Sequence, residues 1–173
     1  MRNTRLLAAA VVLSVLSGTL VACEDDDDDE DFEANLTSAA EVTTNPLVGN
    51  PTATGVANIV LEDRVLTVTV TVAGQLTSNV TMAHIHGPAS TTANAGVILD
   101  FVPSMSSVIS AGTRTGQIVQ ASFDLDALTV SSTGVLRVQP DELINFLNTG
   151  QAYVNVHTQN NPGGEIRGQI HRD

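Results

Sequence analysis

The chain has no tryptophan and no lysine, a single cysteine, and aromatics amounting to only 3% of its 173 residues. Each shortage removes a class of explanation. Seven arginines stand against nineteen acids, for a formal net charge of −12, so no basic patch exists to neutralise phosphates and nucleic acid is excluded as a partner. A lone cysteine, Cys23, excludes a fold stapled by internal disulfides. The longest apolar run, Leu6 to Leu16, falls short of the roughly 20 residues that a membrane helix needs. Glycine-rich phosphate loops and the GxSxG nucleophile turn are both missing, and no 20 to 50 residue repeat is present. With only four phenylalanines, the core has to be built from Val, Ile, Leu and Ala, a composition suited to stacked β-structure. The length fits one domain after a leader.

That leader is residues 1–22. Arg2 and Arg5 precede the apolar run, and small residues lead to Leu20-Val21-Ala22-Cys23, which resembles a bacterial lipobox in which the cysteine is acylated. Cys23 is therefore the expected lipidation site, and the expected address is across the inner membrane, anchored to the outer membrane and facing the periplasm or the surface. Several acyl chains on one residue would hold the protein stably where a single chain would not. Residues 23–31 then form a tether: eight consecutive acids from Glu24 to Asp31 repel one another and stay solvated. Fully extended, they would reach about 25 Å. The acidic run also resembles the surface-export signal of some Gram-negative lipoproteins, with a plain spacer as the alternative. Nine of the acids lie between Glu24 and Glu33, so the domain at 32–173 is far less acidic than the whole chain.

Within the domain the periodicity is that of strands. Gly55–Leu61 and Val65–Val72 flank Glu62-Asp63-Arg64 as a hairpin. In its second arm Leu66, Val68, Val70 and Val72 alternate with Thr67, Thr69 and Thr71. Further strands are expected at Val80–His86, Gly96–Phe101 and Gln117–Leu125, the last placing Ile118 and Phe123 in the core, with a polar loop over 103–112. One helix is expected after Pro140, with Asp141 and Glu142 in its first turn, Leu143, Ile144, Phe146 and Leu147 on its apolar side, and Gly150 as its stop. Tyr153–His157 and Glu165–Ile170 flank the turn-rich Asn160-Asn161-Pro162-Gly163-Gly164 as a closing hairpin. Pairing His157 with Glu165 sets Asn155 opposite Arg167 and Tyr153 opposite Gln169, with Val154, Val156, Ile166 and Ile170 beneath.

Three of the four histidines fall on these strands. Alternation puts His84 and His86 on one face against Ala83 and Ile85, and Tyr153, Asn155 and His157 on one face against Val154 and Val156. If the two strands are neighbours, three imidazoles turn outward from an aliphatic interior and converge, a donor set for copper or zinc, with Glu165 placed to orient His157. The alternative is structural: His84 and His86 donate to loop carbonyls and lock the Gly87-Pro88 turn, Tyr153, Asn155 and His157 tie the final hairpin to it, and Glu165 and Arg167 complete a stabilising polar ladder.

The runs Ala83–Ala89 (AHIHGPA), Ala152–Thr158 (AYVNVHT) and Pro162–Ile170 (PGGEIRGQI), with Phe32–Leu36 (FEANL), Glu41-Val42 and Thr54–Ala57 upstream, resemble the CHRD domain, named after chordin. The likeness runs from about Asp31 to Ile170. One departure is that Thr43-Thr44-Asn45-Pro46 stands where the family usually follows Glu-Val with a Pro pair. The resemblance implies an all-β, Ig-like or superoxide-dismutase-like antiparallel sandwich or barrel in an extracellular setting, and implies no known reaction. The histidines are also similar to the copper side of Cu/Zn superoxide dismutase. Against that enzyme, the chain shows no zinc loop, no cysteine pair and no arginine assignable above a metal. The expectation is therefore a membrane-anchored, non-enzymatic module with no catalytic residues, meeting extracellular protein or glycan. A copper or zinc binding protein using His84, His86 and His157 is the alternative, and a dismutase or other enzyme the second alternative.

Overall fold

A computed structural model describes residues 29–101 and 113–173. The leader, Cys23 and most of the acidic tether lie outside the described residues, as does the whole of the expected 103–112 loop.

The strands are β1 (Glu30–Thr37), β2 (Thr54–Glu62), β3 (Val65–Ala73), β4 (Val80–His86), β5 (Val97–Asp100), β6 (Gly116–Asp124), β7 (Tyr153–Thr158), β8 (Ile166–Gln169) and β9 (His171–Arg172). All nine join one antiparallel sheet in the order β5-β4-β7-β8-β1-β2-β3-β6, with β9 paired to β1. The sheet curls into a half-barrel, so the expected all-β architecture is present as one continuous surface. Alternation gives it one buried face: Leu66, Val68, Val70 and Val72 are buried while the intervening threonines face away. Asp63 and Arg64, at φ +46 and +65°, make the two-residue turn that joins β2 to β3. Positive φ at both central residues matches the right-handed twist of the flanking strands.

The expected helix is α1 (Pro140–Asn148). Gln139 caps it in a reciprocal box, its backbone N–H donating to Glu142 at 3.0 Å, and Pro140 occupies a first-turn position where no backbone donor is required. Leu143 and Leu147 are buried in the core; Ile144 and Phe146 pack against it from its margin. Beneath β4 and β7 the core holds Ala83, Ile85, Leu99, Val154, Val156 and Ile166, all fully buried.

The closing hairpin has the expected register, with Tyr153 opposite Gln169, Asn155 opposite Arg167 and Val156 opposite Ile166. β4 lies on the other side of β7, placing His84 opposite Asn155 and His86 opposite Tyr153. These pairings bring two distant segments to adjacent positions and create the polar face described below.

Gly168 is the tightest point in that arrangement. A Cβ there would run into the Asn35 carbonyl of β1 and lie 3.1 Å from the Leu36 side chain. Gly168→Ala must therefore push β1 from β8. We expect a loss of about 2–4 kcal/mol in urea unfolding, the scale of forced overpacking or more. A change under about 0.5 kcal/mol would show that the contact relaxes freely.

Candidate metal centre

The face of β4, β7 and β8 that points away from the core carries His84, His86, Tyr153, Asn155, His157, Arg167 and Gln169. Sequence reasoning turns these side chains outward, and they do leave the aliphatic core; they do not reach water. His84, His86 and His157 are 4, 8 and 6% exposed, and Arg167 is 1% exposed. The cover is the loop 87–96, which runs back across the sheet and is fastened through its own backbone. Arg167 donates to the Asn94 side chain at 2.9 Å and to the carbonyls of Ser90 and Ala93 at 3.0 and 2.9 Å. Gln169 donates to Ala89 at 2.8 Å, and Tyr153 Oη accepts from the Ala95 N–H at 3.1 Å. The Arg167 guanidinium stacks 3.5 Å from the Tyr153 ring centre, whose plane lies 7° from that of His86. A buried guanidinium is tolerable here because its donors end on oxygens.

The histidines are oriented by the same loops. His86 donates its Nδ1–H to Ala95 O at 3.0 Å, and His157 donates its Nδ1–H to Pro162 O at 2.9 Å. A carbonyl only accepts, so the proton of each neutral ring sits on Nδ1 and the Nε2 lone pair points inward. His84 is turned the other way, its Nδ1 lying 3.2 Å from His157 Nε2 and its Nε2 lying 3.6 Å from Asp100 Oδ1. One nitrogen from each of the three rings lies within 4.8 Å of the others. His86 Nε2 is buried with no hydrogen-bond partner among the described residues. Burial drives all three basicities down, His86 to about 4, with the neighbouring imidazoles adding to the effect at His84. Neutral rings with inward lone pairs are the ligand form.

These observations test the donor set for a metal, and it fits. Imidazoles at about 2.0–2.1 Å from a zinc ion stand roughly 3.3 Å apart; the His84–His157 contact has that spacing, and all three ligand atoms lie within 4.8 Å of one another.

Glu165 lies elsewhere. Its carboxylate accepts from the Thr77 N–H at 2.7 Å, from the hydroxyls of Thr77 and Thr158 at 2.6 Å each, and from Asn161 at 2.9 Å. His157 takes its orientation from Pro162 and not from this group, which corrects the expected second role of Glu165. Burial alone would raise its pKa; the bonds from Thr158, Thr77 and Asn161 outweigh that and hold it below the ordinary carboxylate value. Asn155 reaches Glu41, donating at 3.4 Å. Burial raises Glu41 from 4.5 to about 7, although Arg167 and Asn155 pull the other way. Sequence spacing does not mark Glu41, Asp100 or Arg137 as site residues: Asp100 merely ends an apolar strand, and Glu41 enters only through the Glu41-Val42 of the family likeness, with nothing near it to signal burial.

A family model for the CHRD domain matches residues 32–170. The chain belongs to the CHRD family. Neither the curated proteins nor the solved structures give a match. The three histidines and the final hairpin of this CHRD domain all lie inside the matched span. A cleft of about 590 Å³ opens beside them, lined by residues 41–48, Asn94 and 160–164, and none of the three histidines borders it.

The two carboxylates predict opposite pH trends. Glu165, held low, contributes stability that is complete above the ordinary carboxylate pKa and is lost as pH falls through its depressed value. Glu41, held high, contributes stability that is complete below about 4.5 and is lost as pH rises through about 7. Glu165→Gln should cost about 2–4 kcal/mol at pH 7 and flatten the acid limb of a stability–pH curve. Glu41→Gln should match wild type near pH 5 and exceed it at pH 8 by roughly 1–2 kcal/mol, a figure discounted for partial solvent screening. Parallel curves for wild type and either variant would remove the corresponding assignment.

Proposed function

We propose that this CHRD domain is a lipid-anchored, extracytoplasmic module that holds a copper or zinc ion through His84, His86 and His157 and carries out no reaction of its own. The carrying observation is the convergence of three imidazoles, with the buried His86 Nε2 among them unpartnered by any of the described residues. Imidazole-only donor sets suit copper and zinc, and copper(II) stands above zinc in the general affinity order of divalent ions. The non-enzymatic reading is supported by burial: the loop 87–96 covers the rings, and the neighbouring cleft does not reach them. That cleft, rimmed by Asn45, Asn94, Asn160 and Asn161, is where an extracellular protein or glycan would be met.

Tag-free protein should purify with close to one equivalent of copper or zinc by elemental analysis, or take up one on titration. His86→Ala should weaken uptake by about 100-fold or more, beyond the 10–100-fold typical when an outer partner is lost. A wild-type protein that neither carries nor binds either ion sinks the metal reading. The anchor has its own test. Wild type should sediment with membranes, and Cys23→Ser should release the protein; release of neither or both would sink lipidation at Cys23.

A further inference from the structure

The two carboxylates beside the final hairpin have opposite surroundings. Glu165 accepts four short bonds, from Thr77, Thr158 and Asn161. Glu41 accepts one long bond, from Asn155 Nδ2 to Oε2 at 3.4 Å, and its Oε1 is buried with no donor among the described residues. Arg167, the cation that acts on it, directs both terminal nitrogens elsewhere, to Asn94 and to the carbonyls of Ser90 and Ala93. A buried charge so placed lacks the donors it requires.

Asn155 has the complementary defect. It is 3% exposed, and its Oδ1 is also buried without a donor among the described residues. The two bare oxygens meet at one place, since a Cβ on Gly164 would lie 2.6 Å from Glu41 Oε1 and 2.6 Å from Asn155 Oδ1. One proton on Glu41 Oε1 gives both of them a partner, because a carboxylic acid donates where a carboxylate only accepts. Acid and amide then exchange two bonds side by side. Burial favours the same form, lifting Glu41 to about 7 against the pull of Arg167 and the Asn155 bond.

Glu41 also begins the segment 41–48, one wall of the cleft. The far end of this strap is pinned by the Asn161 side chain, which accepts from the Val48 N–H at 2.8 Å and donates to Val48 O at 3.2 Å. Its near end is held by Asn94, donating to Val42 O at 2.8 Å, and by the Glu41–Asn155 contact. Between these ends Thr43 and Asn45 bond each other.

We propose that Glu41 and Asn155 form a proton-operated latch: Glu41 Oε1–H donates to Asn155 Oδ1 while Asn155 Nδ2–H donates to Glu41 Oε2, and loss of that one proton loosens the strap that walls the cleft. On opening, the proton leaves Oε1 for water, Glu41 becomes an anion, the Nδ2 bond remains, and Asn155 Oδ1 is left facing negative charge. The groups facing Glu41 are Asn155 from β7, Arg167 from β8 and the backbone of Gly164, so Arg167 is the one charge among them. The latch is fully closed below about 4.5 and is lost as pH rises through about 7. No histidine takes part, so the latch holds or fails whatever the imidazoles bind.

Carbon-13 spectra of the side-chain carboxyl and amide carbons, recorded on the full-length protein in detergent from about pH 5 to about pH 9, follow the proton directly. Glu41 Cδ should titrate with a midpoint near 7, and Asn155 Cγ should move with the same midpoint. Exchange of the Val48 amide, corrected for its intrinsic pH dependence, should accelerate about fivefold or more across that midpoint, the scale of one lost hydrogen bond. Glu41→Gln, which offers an amide N–H in place of the acid O–H, should keep this exchange slow and independent of pH. Glu41 already ionised at the acid end of the series would overturn the latch, as would an Asn155 Cγ that ignores the Glu41 titration. Val48 exchange that stays level in wild type, or that rises equally in Glu41→Gln, would overturn the release of the strap. If Glu41→Gln does not fold, the wild-type titration and exchange decide.

Discussion

A loop laid across a sheet, with its carbonyls fixed over the side chains beneath, is the constraint on which the arrangement depends. Ring and guanidinium donors of the β4, β7 and β8 face find oxygens on the segments 87–96 and 158–164: His86 on Ala95, His157 on Pro162, Arg167 on Ser90 and Ala93, Gln169 on Ala89. Each bond is worth about 1 kcal/mol net, but each donor left bare in such a place would cost more, so the loop and the polar face are stable only together. The histidine orientation is a by-product of the same fastening. Two rings have their tautomers set by backbone, and only the third depends on another side chain.

This makes the domain two-layered in an uncommon sense. The half-barrel encloses an aliphatic core on its concave side, while outside β4, β7 and β8 lies a second buried region that is polar and nearly self-satisfied. Among the described residues, the buried side-chain atoms there without a hydrogen-bond partner are Glu41 Oε1, His86 Nε2, Asn155 Oδ1 and Gln169 Oε1. Glu41 and Asn155 lie against Gly164, where a Cβ would come within 2.6 Å of both side chains, at a φ of +126° that favours glycine in any case. That glycine brings the turn at 161–164 down onto the ladder.

Much of this was legible from the residues. Period-two alternation fixed the inward and outward sides of β3, β4 and β7, turn chemistry at Asn160–Gly164 placed the final hairpin's loop, and pairing His157 with Glu165 across it gave the register that the strands have. The convergence of His84, His86 and His157 needed only that β4 neighbour β7. What stayed hidden has a common cause. Burial of the polar face depends on loops whose paths have no periodicity, so neither the depth of Arg167 nor the raised acid at Glu41 could be read from spacing. Asp100 was obscured because it closes the run Val97-Ile98-Leu99, where its apolar neighbours dominate the pattern. Glu165 was legible as a member of the polar ladder, but its partners Thr77 and Asn161 come from loops and Thr158 from the end of β7, and these turn it from the histidine toward a joint between segments.

Every residue of β7 is buried, on both sides of the strand. A strand with no outer surface has no position at which drift is cheap: a change at Val154 or Val156 disturbs the aliphatic interior, and one at Tyr153, Asn155 or His157 disturbs the polar tier. Diversification among proteins of this kind would thus be displaced to the connecting segments, which could lengthen or change character around an immobile central rib. Recognition of new surroundings and preservation of the rings would then be inherited on separate parts of the chain.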